Sequence, residues 1–173
     1  MTDWRLRRAS VEDAPAVALV AQASFLTTFA GILSGPDILS HLSAKSDPAT
    51  FARWAVDPDA VLTLAEHTDG AAPVGYTLLT PPEEVGETRT GDIELRRIYT
   101  LATMHGSGLG RALLARAVAD ARDHGAQRML LGVFAGNVRA RRFYEKEGFV
   151  ALAERRFKVG ATLHDDFVYA LTL

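Results

Sequence analysis

The sequence predicts one mixed α/β domain, and three observations carry that prediction. The chain has 173 residues, a length suited to one compact unit spanning residues 1–173. Of these, 48% are hydrophobic, enough for a real core and too many for a disordered chain. Apolar residues recur at helical spacing early and at strand spacing in the middle, and then alternate strand, helix, strand toward the end.

The elements follow in order. Trp4 to Ala9 alternates as a short strand. Ser10-Val11-Glu12-Asp13 reads as a helix start, with Ser10 as cap and acids in the first turn. Val17, Val20, Ala21 and Ser24 continue at helical spacing to about Phe29. Gly31, Gly35 and Pro36 break that helix. A second helical stretch runs to about Leu42, and a third covers Pro48 to Val56, ended by Pro58. Val61 to His67 and Pro73 to Thr80 are strands around the turn signal Thr68-Asp69-Gly70. Pro81-Pro82 stops the second, and Glu83 to Gly91 is an acidic loop. Ile93 to Leu101 is a strong strand. Leu109, Leu113, Leu114, Ala117, Val118 and Ala121 mark one face of a long helix that stops at His124-Gly125. Arg128 to Ala135 is a buried-type strand, and Asn137 to Glu147 a short helix closed by Gly148. Val150 to Val159 and Asp166 to Leu173 form a last hairpin.

Composition narrows the function classes. The net charge is −2, so no global basic field draws the chain to nucleic acid. There are no cysteines, which excludes disulfides, thiolate metal sites and a cysteine nucleophile and fits a reducing compartment. The start, Met1-Thr2-Asp3-Trp4-Arg5, has no apolar signal region behind it. The apolar stretch around Ala14 to Val20 is too short to span a bilayer. A soluble cytoplasmic protein, with neither nucleic acid nor membrane as partner, is the expectation. The histidines 41, 67, 105, 124 and 164 have no ligand spacing, so no metal site is expected.

The turn His105-Gly106-Ser107-Gly108-Leu109-Gly110 opens the long helix. First-turn N–H groups have no intrahelical partner, and the helix dipole adds positive potential there. Glycines without Cβ let backbone close around an anion, with Arg111 next to add charge. A P-loop is a poor match, because Arg111-Ala112 stands where Lys-Ser/Thr is needed. A dinucleotide fingerprint fails by one residue, since the third glycine comes early. A glycine-rich connector with packing duties is the competing structural reading.

The block Asn137-Val138-Arg139-Ala140-Arg141-Arg142-Phe143-Tyr144-Glu145-Lys146-Glu147-Gly148-Phe149 is more specific. With the turn, it resembles the GCN5-related N-acetyltransferase (GNAT) superfamily. That superfamily carries Gln/Arg-x-x-Gly-x-Gly/Ala at the turn and Asn-x-x-Ala-x-x-Phe/Leu-Tyr-x-x-x-Gly-Phe at the later helix. Positions 137, 140, 143, 144, 148 and 149 match, and so does the spacing. The resemblance is strong from Ile93 to Phe149 and loose elsewhere. His105 departs from it, standing where Gln or Arg is usual.

The resemblance implies a twisted mixed sheet, flanked by helices, whose fourth and fifth strands splay apart around acetyl-CoA. The cosubstrate's pantetheine arm would pair with the backbone of Ile98, Tyr99 and Thr100. Its pyrophosphate would lie on the turn from His105 through Gly106, Ser107, Gly108, Leu109 and Gly110 to Arg111, with Asn137 and Tyr144 at the thioester end. The implied enzyme transfers acetyl to a primary amine by direct attack. Tyr144 is the candidate acid for the leaving thiolate, since phenol and thiol acidities lie within about two units. A core aromatic beside Phe143 is the plain alternative. Glu94 is the candidate base, or holder of a water chain to the amine; pairing with Arg96 or Arg97 is its structural alternative. Asn137 also reads as an ordinary helix cap. Arg139, Arg141 and Arg142 meet cofactor phosphates or form a solvated face.

The acceptor falls to Phe25–Leu42, the acidic loop and the last hairpin. Glu83, Glu84, Glu87, Asp92, Asp165 and Asp166 can steer a cationic amine. Glu94-Leu95-Arg96-Arg97-Ile98-Tyr99, the Phe25–Phe29 helix end and the Val159-Gly160…Asp166 hairpin are similar to bacterial spermidine/spermine N-acetyltransferases, which implies a polyamine-like acceptor. The resemblance also implies homodimer contacts through the C-terminal hairpin. A non-catalytic acetyl-CoA-binding module and a protein N-terminal or amino-acid acetyltransferase are the alternatives.

Overall fold

In the computed structural model, residues 2–83 and 85–173 are described. Twelve elements follow in order: β1 (Trp4–Arg8), α1 (Ala14–Phe29), α2 (Gly35–Lys45), α3 (Pro48–Val56), β2 (Val61–His67), β3 (Pro73–Thr80), β4 (Asp92–Thr100), α4 (Leu109–Asp123), β5 (Arg128–Phe134), α5 (Val138–Lys146), β6 (Val150–Val159) and β7 (Thr162–Thr172). The strands form one seven-stranded sheet in the order β1-β2-β3-β4-β5-β7-β6. Only β4 and β5 pair in parallel, as a connection through a helix requires.

Several boundaries differ from the sequence reading. Ser10 caps a single 3-10 turn, Val11–Asp13, ahead of α1, and its N–H donates to the Asp13 carboxylate at 2.7 Å. Gly35 and Pro36 start α2 rather than separate it from α1. Ser34 caps them by accepting from the Asp37 N–H, and proline is at home in a first turn. α2 then runs past Leu42 to Lys45. A second 3-10 turn, Ala102–Met104, leads β4 into the glycine turn. β7 begins at Thr162, earlier than its apolar residues indicate, because Thr162 to Asp165 pair with β6.

Helices cover both faces. α4 and α5 pack Leu114, Ala117 and Tyr144 onto Ile93, Leu95, Met129, Leu131, Val133 and Tyr169. α1 and α3 pack Val17, Ala21 and Phe51 onto Leu62, Leu64, Tyr76 and Leu78. Each fully buried leucine contributes about 1.5–3 kcal/mol relative to exposure. Gly75 sets how closely α4 approaches β3: a Cβ there would lie 2.9 Å from the Tyr99 carbonyl and 3.1 Å from Leu113 Cδ1.

One irregularity shapes the site. β4 and β5 pair at Asp92–Arg128, Ile93–Met129 and Glu94–Leu130, and then separate. On the other edge of β4, Leu78 faces Arg97 but Leu79 faces Leu95, so Arg96 is an extra residue. Such a bulge bends its strand. The bend coincides with the parting, and a notch opens between Leu95–Thr100 and the end of β5. The sheet is thus splayed between its fourth and fifth strands. Among the described residues, no helix is long and apolar enough to cross a membrane.

Candidate active site

A cavity of about 730 Å³ fills the notch. Its walls are β4 from Leu95 to Thr100, the turn from Met104 to Arg111, the end of β5, α5, and Thr27 to Phe29 of α1. Of the residues singled out from sequence, Ile98, Tyr99, Thr100, His105, Gly106, Gly108, Gly110, Arg111, Asn137 and Tyr144 all line it. Ser107 and Leu109 do not. Ser107 folds back, donating to the Met104 carbonyl at 2.7 Å and accepting from the Leu109 N–H at 3.3 Å. Leu109 is fully buried with Ala65, Val74 and Leu113 and anchors the turn from below.

The turn's backbone explains its glycines. Gly106 and Gly108 have φ of 86° and 84°, in the left-handed region that disfavours side chains. A Cβ on Gly106, Gly108 or Gly110 would meet nothing within 4 Å. Packing therefore does not require glycine at these positions; open space over the turn remains. The bond from the Ala112 N–H to the Gly108 carbonyl, at 3.0 Å, opens the helix, so the N–H groups of Gly110 and Arg111 precede the ladder.

Two contacts tie the turn to α5. Arg139 Nη1 lies 2.6 Å from His105 Nδ1, and Arg111 pairs with Glu147 at 3.2 Å. Burial, followed by the Arg139 charge, lowers the His105 pKa from its ordinary value. Asn137 caps α5 by accepting from the Ala140 N–H at 3.1 Å. Arg141 turns away from the cavity; it donates to the Ala135 carbonyl and Tyr169 Oη and lies 4.3 Å over the Phe167 ring. Arg142 is exposed.

Tyr144 is 8% exposed, and burial pushes its phenol well above the ordinary tyrosine value. It is neutral at physiological pH and so holds its proton, as a weaker acid than a free phenol. Glu94 lies outside the cavity wall. It is 3% exposed at the last rung of the β4–β5 pairing, and its carboxylate accepts from the Glu83 N–H at 2.9 Å. The loop after β3 closes over it, so any proton it takes from the cavity needs a relay.

The acidic side chains of the acceptor region are mostly paired. Asp92 binds Arg128 through two bonds of 2.8 and 2.6 Å, Glu83 binds Arg96 at 2.7 Å, and Asp165 approaches Arg156 at 3.8 Å. Asp166 is buried beside Arg155, and that burial raises its pKa. Glu87 is exposed, and Glu84 lies outside the described residues.

Gly132 and Phe134 also line the cavity, and the sequence reading passed over both. An isolated glycine inside the apolar strand Arg128–Phe134 was the available signal, since it marks a close approach by another group. Among the described residues, no cluster of His, Cys, Asp or Glu is placed to hold a metal ion.

Comparison with known proteins agrees with this geometry. The model of the acetyltransferase (GNAT) family matches residues 32–149. An uncharacterised N-acetyltransferase of Mycobacterium tuberculosis is 37% identical over 156 residues, covering 90% of this chain and 95% of the relative. Among solved structures, the PaiA N-acetyltransferase of Thermoplasma acidophilum, in complex with coenzyme A, superimposes with a TM-score of 0.79 at 22% identity, over 98% of this chain and 99% of that one. The ribosomal-protein-S18-alanine N-acetyltransferase of Escherichia coli gives 0.68 at 20% identity, over 98% and 93%. The chain belongs to the acetyltransferase (GNAT) family and is an acetyl-CoA-dependent N-acetyltransferase.

Proposed function

We propose that this enzyme transfers acetyl from acetyl-CoA directly to a primary amine of a small molecule. The observation that carries the reading is the parting of β4 and β5 beside an uncovered glycine turn, with Tyr144 lining the same cavity. Within the turn the N–H groups of His105, Ser107 and Leu109 are bonded internally, which leaves those of Gly106, Gly108, Gly110 and Arg111 for a pyrophosphate. The edge of β4 at Ile98, Tyr99 and Thr100 has no β5 partner and is open to an extended amide-bearing arm. Asn137 and Tyr144 line the opposite wall, where the thioester would lie.

The acceptor's ammonium first gives a proton to water to become the neutral amine, whose nitrogen then attacks the thioester carbon. The C–N bond forms, the C–S bond breaks, and the nitrogen's surplus proton leaves to water. The departing thiolate takes the Tyr144 proton, and the phenolate is reprotonated by solvent. Glu94 serves the amine only through a water chain, because its carboxylate is covered by the Glu83 segment.

The polyamine-like acceptor expected from sequence rested on a resemblance over Glu94–Tyr99, Phe25–Phe29 and the last hairpin, together with acidic steering. Of the carboxylates named for it, Asp92, Glu83, Asp165 and Asp166 are each met by an arginine. That leaves less negative field for a polycation than the sequence implies. The outer strand β6, with Val150 and Leu152 exposed, is the surface for the expected homodimer contact, to be checked by sedimentation.

The test is thiol release from acetyl-CoA across a panel of amines, including spermidine and amino acids. Turnover on at least one is expected. Tight acetyl-CoA binding without turnover on any would make the chain a binding module instead.

A further inference from the structure

The sheet face away from α4 and α5 holds a cation with unused bonding capacity. Met129, Leu131 and Val133 face α4 and α5, so alternation places Gly132 and Phe134 on the other face. Across the hairpin, Asp166 pairs with Phe134 on one side and Arg155 on the other, and Phe157 pairs with His164. Arg155 reaches from β6 over β7 and lays its guanidinium on Gly132. A Cβ at Gly132 would collide with Arg155 Nη2. Gly132 lines the cavity, and Arg155 lines an adjoining hollow with Asp165, Asp166 and Phe167, so the guanidinium rests against a wall residue of the cavity from outside its lining and a carboxylate must reach past Gly132 to meet it.

This arginine is poorly satisfied for its burial. Its side chain is 19% exposed. Its bond to Asp166, from Nη2, is long at 3.4 Å. Nε is buried with no partner among the described residues, and the same is true of His164 Nε2 nearby. Aromatic rings flank the pair, with Phe157 5.1 Å from the guanidinium and Phe134 5.8 Å from His164. Leaving buried donors unpaired is costly, and such groups need an explanation. A guanidinium offers a planar fork that fits two carboxylate oxygens.

We infer that Arg155 is the specificity-determining residue that binds a carboxylate on the acceptor, so that the preferred acceptor is an amino acid rather than a polyamine. This rests on the acetyltransferase reading above. The acceptor enters from the face of Phe29, Phe134 and Gly132, opposite the glycine turn. Arg155, freed from part of its weak hold on Asp166, takes the carboxylate, and this directs the amine into the notch. A polycation would bring a second positive charge against the same guanidinium.

The experiment measures thiol release from acetyl-CoA with the twenty amino acids, the carboxamide of each, the matching carboxylate-free amines and spermidine. At least one amino acid should exceed its carboxamide tenfold in kcat/KM. Arg155→Met should raise the KM of that amino acid at least tenfold and bring the acid-to-amide ratio toward one, with Arg155→Lys keeping part of the discrimination. A thermal shift with acetyl-CoA checks that each variant is folded. Where Arg155→Met does not fold, the wild-type acid-to-amide ratio decides. Carboxamides or spermidine turned over as well as the acids would overturn the inference and leave the enzyme reading standing, as would an unchanged ratio in folded Arg155→Met. Absence of turnover on every amine would overturn both.

Discussion

Arg139 Nη1 lies 2.6 Å from His105 Nδ1 and joins α5 to the glycine turn beside the cavity. The imidazole accepts here, and burial with the Arg139 charge holds it neutral. A neutral imidazole is a weaker acceptor than a pyrophosphate, to which Arg139 can move. Arg139→Ala should therefore weaken acetyl-CoA binding about tenfold, the scale of one charge-assisted hydrogen bond. Titration calorimetry at low and high salt measures it, with the difference shrinking in high salt. An unchanged dissociation constant would confine Arg139 to its histidine.

Tyr144 couples core packing to chemistry. Its ring packs against Phe143, Phe149 and Tyr169, while its side chain lines the cavity. Tyr144→Phe preserves the packing and removes the proton. Turnover should fall about a hundredfold, the lower range for general-acid catalysis, with acetyl-CoA affinity within about twofold. Parallel losses of rate and affinity would assign the hydroxyl to binding.

His41 stacks on Phe25 with centroids 4.4 Å apart. Burial, with the Arg97 and Lys45 charges adding, pushes its imidazole down to about 4. An unfolded histidine titrates near 6.5, so the unfolded chain binds more protons between those values. The stability from neutral His41 is whole above about pH 6.5 and is lost as pH falls toward 4. His41→Phe keeps the stack and removes the titration. Its melting temperature should drop less than that of the wild type between about pH 7 and 4.5; equal drops would refute the assignment.

Some local chemistry was legible in the sequence, though Gly35-Pro36, read as breakers, begin α2. Asp47 accepts from the Thr50 N–H ahead of Pro48, and α3 has the bounds its sequence indicates. Gly125, read as a left-handed helix stop, has a φ of 75° at the end of α4. What escaped depends on partners distant in sequence. Glu94 reads as a base or the holder of a water chain, and the Glu83 N–H that meets its carboxylate is not signalled by the strand. The polar start of β7 becomes a strand only because Gly160 turns it onto β6. Gly132 signals a close approach, yet nothing local names Arg155 as the group that approaches.

The root of the notch depends on another distant pair. Asp92, with its side chain 1% exposed, holds Arg128 through two bonds at the rung where β4 and β5 begin to pair. Arg128 keeps the Asp92 pKa below the ordinary aspartate value. The stabilisation is therefore present above about pH 4 and lost as pH falls through the lowered pKa. Asp92→Asn leaves a buried guanidinium without its counter-charge and should cost about 3 kcal/mol in urea unfolding. A loss under about 1 kcal/mol would show that hydrogen bonding to the amide replaces the pair.

Gly110 separates a binding role from a folding role most cleanly. It lies in the first turn of α4, its φ is outside the left-handed region, and a Cβ there would meet nothing within 4 Å. Neither backbone strain nor crowding calls for glycine. Alanine is the better helix former by up to about 1 kcal/mol, so Gly110→Ala should leave the melting temperature unchanged or raise it. If a pyrophosphate approaches these amides, the added methyl stands in its path, and acetyl-CoA affinity should fall at least fivefold in the same sample. Gly108→Ala is the contrast, since its φ of 84° is unfavourable for any side chain and stability should fall as well. Higher stability with undiminished affinity in Gly110→Ala would move the pyrophosphate off this turn.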